Sequence, residues 1–190
     1  GTFNVTGSIV GSAANSDLVV DSANVTLSSA NTFNGPTYVQ NNGSLTLSAA
    51  NALQNTTSLV VNTGGSLIVG ASNSINDSAS VSLGGTLSFN GTVGEVLGAL
   101  TLTSNSVIDL GNGAVWVSFA NLAQQLTAST RLSFWNYTPG SDAVYFRDDS
   151  NSYLASSLSF ISFYSGAGTG SFYSALNTSS FSPPELYPTP

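Results

Sequence analysis

Asn31-Thr-Phe33, Asn51-Ala-Leu53 and Asn73-Ser-Ile75 are three copies of one short phrase, separated by 20 and 22 residues. Pairs of apolar residues and single glycines keep the same step. The pairs are Val25/Leu27, Leu45/Leu47, Leu67/Val69 and Leu87/Phe89, and the glycines are Gly43, Gly65 and Gly85. A fixed period of about 20 residues is typical of a solenoid built from stacked coils. The stretch from Asn31 to Phe89 therefore predicts the architecture of the chain.

The predicted fold is all-β: a right-handed parallel β-solenoid with about 20–22 residues per coil and an aromatic-rich C-terminal cap. Each coil holds two short β runs separated by turn residues, as in Leu59-Val-Val61 and Leu67-Ile-Val69. Because stacking superimposes equivalent residues, we expect Asn31, Asn51 and Asn73 to form a structural ladder at one corner. The recurrent glycines are expected to supply the positive φ of a tight corner.

The alternative fold is an antiparallel β-sandwich or meander. The pairs Gly64-Gly65 and Gly84-Gly85 each fit a two-residue hairpin turn. A meander does not need the same side chains every 20 residues, whereas stacked coils use them to build continuous aliphatic rows. The repeat therefore favours the solenoid.

Composition divides the chain into four regions. Residues 1–14 alternate well enough for a strand, and are interpreted either as an irregular first coil that caps the open end of the stack or as a mobile strand that pairs with the edge of a neighbouring subunit. Residues 15–114 hold the repeats, in five coils. Fifteen of the 19 aromatic residues follow residue 114, so residues 115–180 are interpreted as a cap over the open end of the stack. Residues 181–190 are a proline-rich tail.

Within the last two regions the pattern predicts several local elements. Residues 120–127 have apolar spacing that fits one or two helical turns. Residues 131–137 and 143–147 read as strands, and residues 154–164 fit a helical turn followed by a strand. Because proline lacks an N–H group, residues 181–190 are expected to be neither helix nor central strand.

Charge excludes several classes of partner. The chain has two basic residues, Arg131 and Arg147, and nine acidic ones, for a formal net charge of −7. Proteins that bind nucleic acid neutralise phosphates with Lys and Arg, so nucleic acid and anionic membranes are not expected partners. No apolar run reaches the roughly 18 residues of a membrane helix. The absence of Met and of an apolar leader indicates a processed or excised chain.

Few residues in this chain can support catalysis. It has no His, Lys or Cys, and so lacks the usual general base, Schiff-base amine and thiol nucleophile. The acids of the repeat region do not keep the repeat period, and no spacing places two of them across a cleft as glycoside hydrolysis requires. They are Asp17, Asp21, Asp77, Glu95 and Asp109. We expect neither an enzyme nor a cofactor.

The densest group of acids is Asp142, Asp148 and Asp149. Carboxylates on a loop can hold Ca²⁺. Their spacing matches neither an EF-hand loop nor a glycine-aspartate nonapeptide repeat. A solvated loop is therefore the favoured interpretation, and a calcium site is the alternative.

Eight asparagines fit the Asn-x-Ser/Thr pattern of glycosylation acceptors, whereas composition alone predicts about five. This small excess does not argue for glycosylation, but corner positions would be the accessible ones. The eight are Asn4, Asn24, Asn42, Asn55, Asn76, Asn90, Asn136 and Asn177.

Two families are similar to parts of this chain. The stretches Ser29–Leu47 and Ala49–Val69 resemble the autotransporter-associated β-strand repeat, and the likeness covers roughly residues 15–114. The block Leu132-Ser-Phe-Trp-Asn-Tyr137, with Val144-Tyr-Phe146 and residues 154–163, is similar to the C-terminal region of exosortase-sorted (PEP-CTERM) bacterial surface proteins. Those proteins continue into a Pro-Glu-Pro motif, an apolar helix and basic residues, whereas this sequence ends at Pro188-Thr-Pro190.

The resemblance implies a secreted parallel β-solenoid that acts as a passenger, stalk, adhesin or envelope component, with no catalytic residues. We therefore expect an extracellular or cell-surface structural protein, bacterial in origin, that associates with itself head to tail into a filament, stalk or matrix. The alternative is an adhesin module in which aromatic side chains of the cap bind carbohydrate or a receptor. The candidates are Trp116, Trp135 and Tyr137.

Overall fold

The computed structural model of the 190-residue chain describes residues 1–11, 16–148, 150–170, 172–178 and 185–189, the last two ranges as backbone only. The chain is nearly all β, and its parallel sheets stack as a β-solenoid of about six turns with one short helix. The predicted solenoid is confirmed. Strands of successive coils pair in parallel, which excludes the antiparallel meander.

The strands are numbered in chain order. They are β1 (Thr2–Val5), β2 (Leu18–Asp21), β3 (Asn24–Leu27), β4 (Thr37–Gln40), β5 (Ser44–Leu47), β6 (Ser58–Val61), β7 (Ser66–Val69), β8 (Ser80–Leu83), β9 (Thr86–Phe89), β10 (Val93–Leu97), β11 (Leu100–Leu102), β12 (Ser106–Asp109), β13 (Val115–Phe119), β14 (Leu132–Trp135), β15 (Ala143–Phe146), β16 (Ile161–Tyr164), β17 (Phe172–Thr178) and β18 (Glu185–Thr189). The helix α1 (Tyr153–Ser157) runs into a 3-10 turn, Leu158–Phe160.

Each coil has three sides. One side is a long parallel arm with the order β1-β3-β5-β7-β9-β12-β14-β16, and a second side is a five-stranded sheet with the order β11-β8-β6-β4-β2. The third side contains β10, β13 and β15. In the coils that precede β10, this side consists of short segments rather than strands, and two of these segments are joined by a parallel bridge between Leu53 and Ile75. We call this surface the third side throughout.

The predicted aliphatic rows are present in the core. On the long arm, Val25, Leu45, Leu67 and Leu87 pair in register, one in each coil. The three leucines of this row are almost fully buried. Alternate residues of a strand point to one face, so a strand such as Ser66–Val69 buries Leu67 and Val69 and turns Ser66 and Ile68 outward. The sequence period is therefore the period of the inward rows.

Parallel stacking does not end at residue 114, where composition places the boundary of the repeats. Strand β13 pairs with β10 and β15, and β14 pairs with β12 and β16. The step between coils lengthens, because Ser106 pairs with Leu132 and Leu132 with Ile161, at separations of 26 and 29 residues. The aromatic residues expected to cover the stack instead fill these coils, where Phe119 stacks on Phe146 and Phe134 on Phe163.

The C-terminal end of the stack is closed. Strand β17 pairs antiparallel with β16, and β18 pairs antiparallel with both β17 and β15. The β17–β18 pair therefore covers the last strands of the long arm and of the third side. Helix α1 and its 3-10 turn follow the last coil, where the Ser157 hydroxyl accepts a hydrogen bond from the N–H of Leu126.

The expectation that the tail contains no central strand is wrong for residues 185–189. Strand β18 lies between β17 and β15 and contains Pro188. Only Glu185 and Leu186 pair with β15, so Pro188 lies beyond that contact, where the absence of an N–H group does not break the pairing. The rest of the tail, residues 181–184 and 190, is outside the described residues.

The N-terminal end is open over the residues described there. Strands β1 and β2 each have a neighbour on one side only. Phe3 continues the inward row through Val25, yet its side chain is 62% exposed because no described coil lies beyond it. Val5, Ile9 and Leu18 are only partly buried against the core. Residues 12–14 of the predicted first region fall outside the described residues.

The recurrent glycines have a different role from the predicted one. A Cβ on Gly43 would lie 2.7 Å from the carbonyl oxygen of Val20, and one on Gly65 would lie 2.5 Å from that of Val39. These positions need glycine because the backbone of the coil below passes close by, and neither has a positive φ. The left-handed corner residues are the neighbours Asn42 and Gly64, with φ of 61° and 83°.

One local prediction is wrong and others are confirmed. Residues 120–127 form no helix, and instead bridge to the coil below through Leu100 and Leu122. The strands predicted at 131–137 and 143–147 are β14 and β15. The helical turn and strand predicted over 154–164 are α1, its 3-10 turn and β16.

Candidate functional site

The third side has an open groove where two successive coils turn. The groove has a volume of about 400 Å³ and is lined by four amides, a carboxylate and one aliphatic side chain. The lining residues are Asn51, Gln54, Asn73, Ile75, Asn76 and Asp77. Amides and carboxylates offer several donors and acceptors in a small volume, so the groove suits a ligand rich in hydroxyl groups.

The three predicted ladder asparagines are stacked, but through their main chains. The N–H of Asn31 donates to the carbonyl of Asn51, and the N–H of Asn51 donates to the carbonyl of Asn73. Asn73 continues the column by donating to the carbonyl of Gly94. Asn51 and Asn73 have left-handed backbones, with φ of 60° and 53°, which asparagine tolerates better than most residues. Their side chains are exposed at the groove.

Asn31 occupies the same column with its side chain turned inward. It is 1% exposed. Its Oδ1 accepts a 2.7 Å hydrogen bond from the N–H of Ile9, and its Nδ2 donates to the carbonyls of Ser29 and Ala52. Asn31 is therefore a structural link between three coils, whereas the other two asparagines are available to solvent.

Glu95 repeats this inward link one coil above the groove. Its Oε1 accepts a hydrogen bond from the N–H of Ser74, while its Oε2 has no hydrogen-bond partner among the described residues. Burial raises the pKa of Glu95 to about 7; the N–H groups of Ser74 and Ile75 partly oppose this effect, and the negative charge of Asp77 adds to it. In the sequence, Glu95 looks like one of several scattered acids. Its position two residues from both Val93 and Leu97, which are buried in the same strand, indicates that its side chain points inward.

Trp116 lies on the outer surface of the third side, beyond the groove in the direction of the C-terminal coils. It pairs with Gly94 in the coil below and with Ala143 in the coil above. A Cβ on Gly94 would lie 2.2 Å from the indole ring, so the ring rests directly on the glycine backbone. The indole is 43% exposed. Trp116 therefore presents an exposed aromatic ring two coils beyond Asn73.

The other two predicted binding aromatics lie elsewhere. Tyr137 is 4% exposed and makes an edge contact with Phe163 at 4.9 Å between ring centroids, so it belongs to the core. Trp135 lies in β14 on the long arm, half-buried against Gly168. The structure therefore does not bring Trp116, Trp135 and Tyr137 into one surface, and it places Tyr137 in the core rather than at a surface open to a ligand.

Two of the candidate calcium ligands, Asp142 and Asp148, lie at opposite ends of β15. Asp142 precedes β15 and is buried, where its carboxylate accepts the N–H groups of Val115 and Thr138. Burial raises the pKa of Asp142, and these two donors oppose the rise. Asp148 follows β15, so it lies roughly 20 Å from Asp142 along the extended strand. Its carboxylate accepts hydrogen bonds from the N–H and hydroxyl of Ser150. Asp149 is outside the described residues, among which no group of three potential ligands meets.

The potential glycosylation sites differ in accessibility. Five are exposed: Asn4, Asn24, Asn42, Asn55 and Asn90. Asn76 and Asn136 are half-buried, and their amides donate to the carbonyl of Thr56 and to the carboxylate of Asp109. Asn177 lies where only the backbone is described.

Both basic residues take part in internal contacts. The guanidinium of Arg147 donates to the carbonyls of Ser118 and Leu97, and so ties together strands of two coils. The guanidinium of Arg131 lies 5.5 Å from the ring centroid of Phe160. Neither forms part of a basic patch that a nucleic acid could use.

Comparison with known proteins finds no matching family model, no matching curated protein and no matching solved structure. In the part of the chain that is described, no helix is both long and apolar enough to cross a membrane. The site must therefore be interpreted from its own geometry.

Proposed function

We propose that the protein is a non-catalytic structural rod of the bacterial cell exterior that associates with a second copy of itself through its N-terminal end. The observation that carries this proposal is the difference between the two ends of the stack. The C-terminal end is covered by β17 and β18, whereas β1 and β2 have free edges and Phe3 is 62% exposed. An extracellular location is supported by the composition and by the resemblance to autotransporter repeats.

Apolar exposure is concentrated at the open end. Of the five large hydrophobic side chains exposed in the described residues, three lie in the first coil: Phe3, Val10 and Val19. The other two are Trp116 and Tyr153. Unpaired strand edges with exposed apolar side chains readily pair with another chain, so this end is the natural contact surface.

The position of the free edges favours a closed pair over a head-to-tail polymer. A head-to-tail contact needs a free surface at each end of the molecule, and it extends without limit. Strands β10 and β11 also end a sheet, but other segments meet their outer edges: the N–H of Asn73 donates to the carbonyl of Gly94, and Leu100 bridges to Leu122. Among the described strands, the edges that no such segment meets are those of β1 and β2, at one end of the stack. Two copies that meet through the same surface form an isologous contact, which closes after one step. The proposed assembly is therefore a rod of two solenoids joined at their N-terminal ends.

The experiment is sedimentation equilibrium of the wild type and of two lysine variants. Phe3→Lys places a charge on the open end, and Tyr153→Lys is a matched control because it changes another exposed aromatic residue at the covered end. We expect a dimer for the wild type and for Tyr153→Lys, and a monomer for Phe3→Lys. A wild type that stays monomeric into the millimolar range would refute the proposal.

A further inference from the structure

The groove on the third side contains amide groups that the fold does not use. In the described part of the chain, the side chains of Asn51 and Asn73 make no hydrogen bond, although both residues stand in the same column at successive coils. Their left-handed backbones turn these amides toward solvent rather than into the core. Asp77 and Gln54 lie beside them. Two equivalent amides one coil apart form a regular row of donors and acceptors.

The indole of Trp116 extends this row with an apolar surface. Asn73 donates its N–H to the carbonyl of Gly94, and the indole rests on Gly94. The column therefore runs from Asn51 through Asn73 and Gly94 to Trp116. Coils rise by about 4.8 Å, so these three steps cover about 14 Å along the axis of the solenoid.

The charges near the column select the kind of ligand. Asp77 lines the groove, the chain has a net charge of −7, and both arginines are held in contacts elsewhere. An anionic ligand would meet repulsion without a compensating cation. A ligand with many hydroxyl groups and no charge avoids this cost.

We propose that this column binds a neutral, linear polysaccharide that runs parallel to the axis of the solenoid. The indole of Trp116 stacks on the apolar face of one sugar ring, while the amides of Asn51 and Asn73 and the carboxylate of Asp77 bind hydroxyl groups of the adjacent rings. This site is independent of the N-terminal contact, so the failure of either proposal leaves the other intact.

The test is isothermal titration of the full chain with cellohexaose, chitohexaose and mannohexaose, with tryptophan fluorescence recorded in parallel and hexagalacturonate as the anionic comparison. Trp116→Ala removes the stacking surface. The double variant Asn51→Gly/Asn73→Gly removes both amides and keeps the left-handed backbone, which glycine adopts freely. Asn42→Gly is the matched control, because Asn42 is an exposed left-handed asparagine at another corner.

We expect at least one neutral hexasaccharide to bind in the sub-millimolar range and to change the tryptophan fluorescence. Binding should fall at least tenfold in Trp116→Ala and several-fold in the double glycine variant, and it should be unchanged in Asn42→Gly. The proposal is overturned if no neutral hexasaccharide binds at millimolar concentration, if hexagalacturonate binds as tightly, or if binding survives in both groove variants.

Discussion

The main-chain N–H of Ser74 donates a hydrogen bond to the buried carboxyl group of Glu95, which lies one coil further along the stack. The same arrangement occurs between Ile9 and Asn31 and between Val115 and Asp142. In each case an inward polar side chain satisfies an N–H group of the preceding coil that has no strand partner. These links join coils on the third side where regular β pairing is interrupted.

The buried carboxyl group makes stability depend on pH. The pKa of Glu95 is about 7 in the folded chain and about 4.5 when unfolded, so the folded state binds more protons between these values. Its contribution is therefore complete below pH 4.5 and is lost as pH rises through 7, a loss of about 3 kcal/mol. Glu95→Gln should remove this dependence. Urea unfolding from pH 4 to pH 8.5 gives the free energy of unfolding of the wild type and of Glu95→Gln at each pH. If the two proteins show the same dependence on pH, Glu95 does not titrate in this range.

Two asparagines of the repeated phrase should differ sharply in their effect on stability. Asn31→Ala leaves the N–H of Ile9 and two carbonyl groups without partners in the core, so we expect a loss of about 2–3 kcal/mol in the free energy of unfolding. Asn51→Gly keeps the left-handed backbone and removes only an exposed amide, so its effect should stay within about 0.5 kcal/mol. Chemical denaturation compares the two, and equal losses would contradict the distinction.

Gly94 and Trp116 should be energetically coupled. A methyl group on Gly94 collides with the indole, so Gly94→Ala should cost about 1–3 kcal/mol. When Trp116→Ala is already present, the same substitution should cost much less, because the ring is gone. A double-mutant cycle should therefore give a coupling energy of about 1–2 kcal/mol. If the free-energy changes of the two single substitutions simply add in the double variant, the indole does not pack on Gly94.

Removal of the C-terminal hairpin should change the mode of assembly. A chain that ends at Gly170 lacks β17 and β18, so β15 and β16 gain free edges. With both ends open, the truncated chain should form filaments or aggregates, whereas the full chain should form closed pairs. Negative-stain electron microscopy distinguishes these outcomes. If the truncated protein assembles like the full chain, the hairpin does not protect the end of the stack.

The regular half of the fold could be predicted because each coil repeats the same inward row. The residue that follows Leu45 in the row is Leu67, and the next is Leu87, so the sequence carries the register itself. After Asp109 the coils contain longer turns, and the fixed period disappears although parallel pairing continues. The aromatic residues in this part of the chain predict a cap over the stack. Large aromatic side chains can cover a core or fill one, so composition alone does not distinguish a cap from further coils.

The site was predicted less well than the fold. Trp116 and Tyr137 look equivalent in the sequence, yet one is exposed and the other is buried. The difference arises at Asn136, whose φ of 57° breaks the alternation after β14 and turns Tyr137 inward. The groove itself was missed, because the left-handed backbones that expose Asn51 and Asn73 leave no signal beyond the repeated asparagine.

The contact at the N-terminal end is the central claim, and hydrogen exchange tests it most directly. Among the described strands, β1 pairs with β3 and β2 pairs with β4. The N–H groups of Thr2 and Asn4 in β1, and of Val19 and Asp21 in β2, point away from these partners, because alternate residues of a parallel strand face opposite neighbours. Amide exchange should be measured at low micromolar and near-millimolar protein. We predict that these amides become protected as concentration rises, while those of β5 and β7 do not change. Exchange of the edge amides that is fast and independent of concentration would contradict the account.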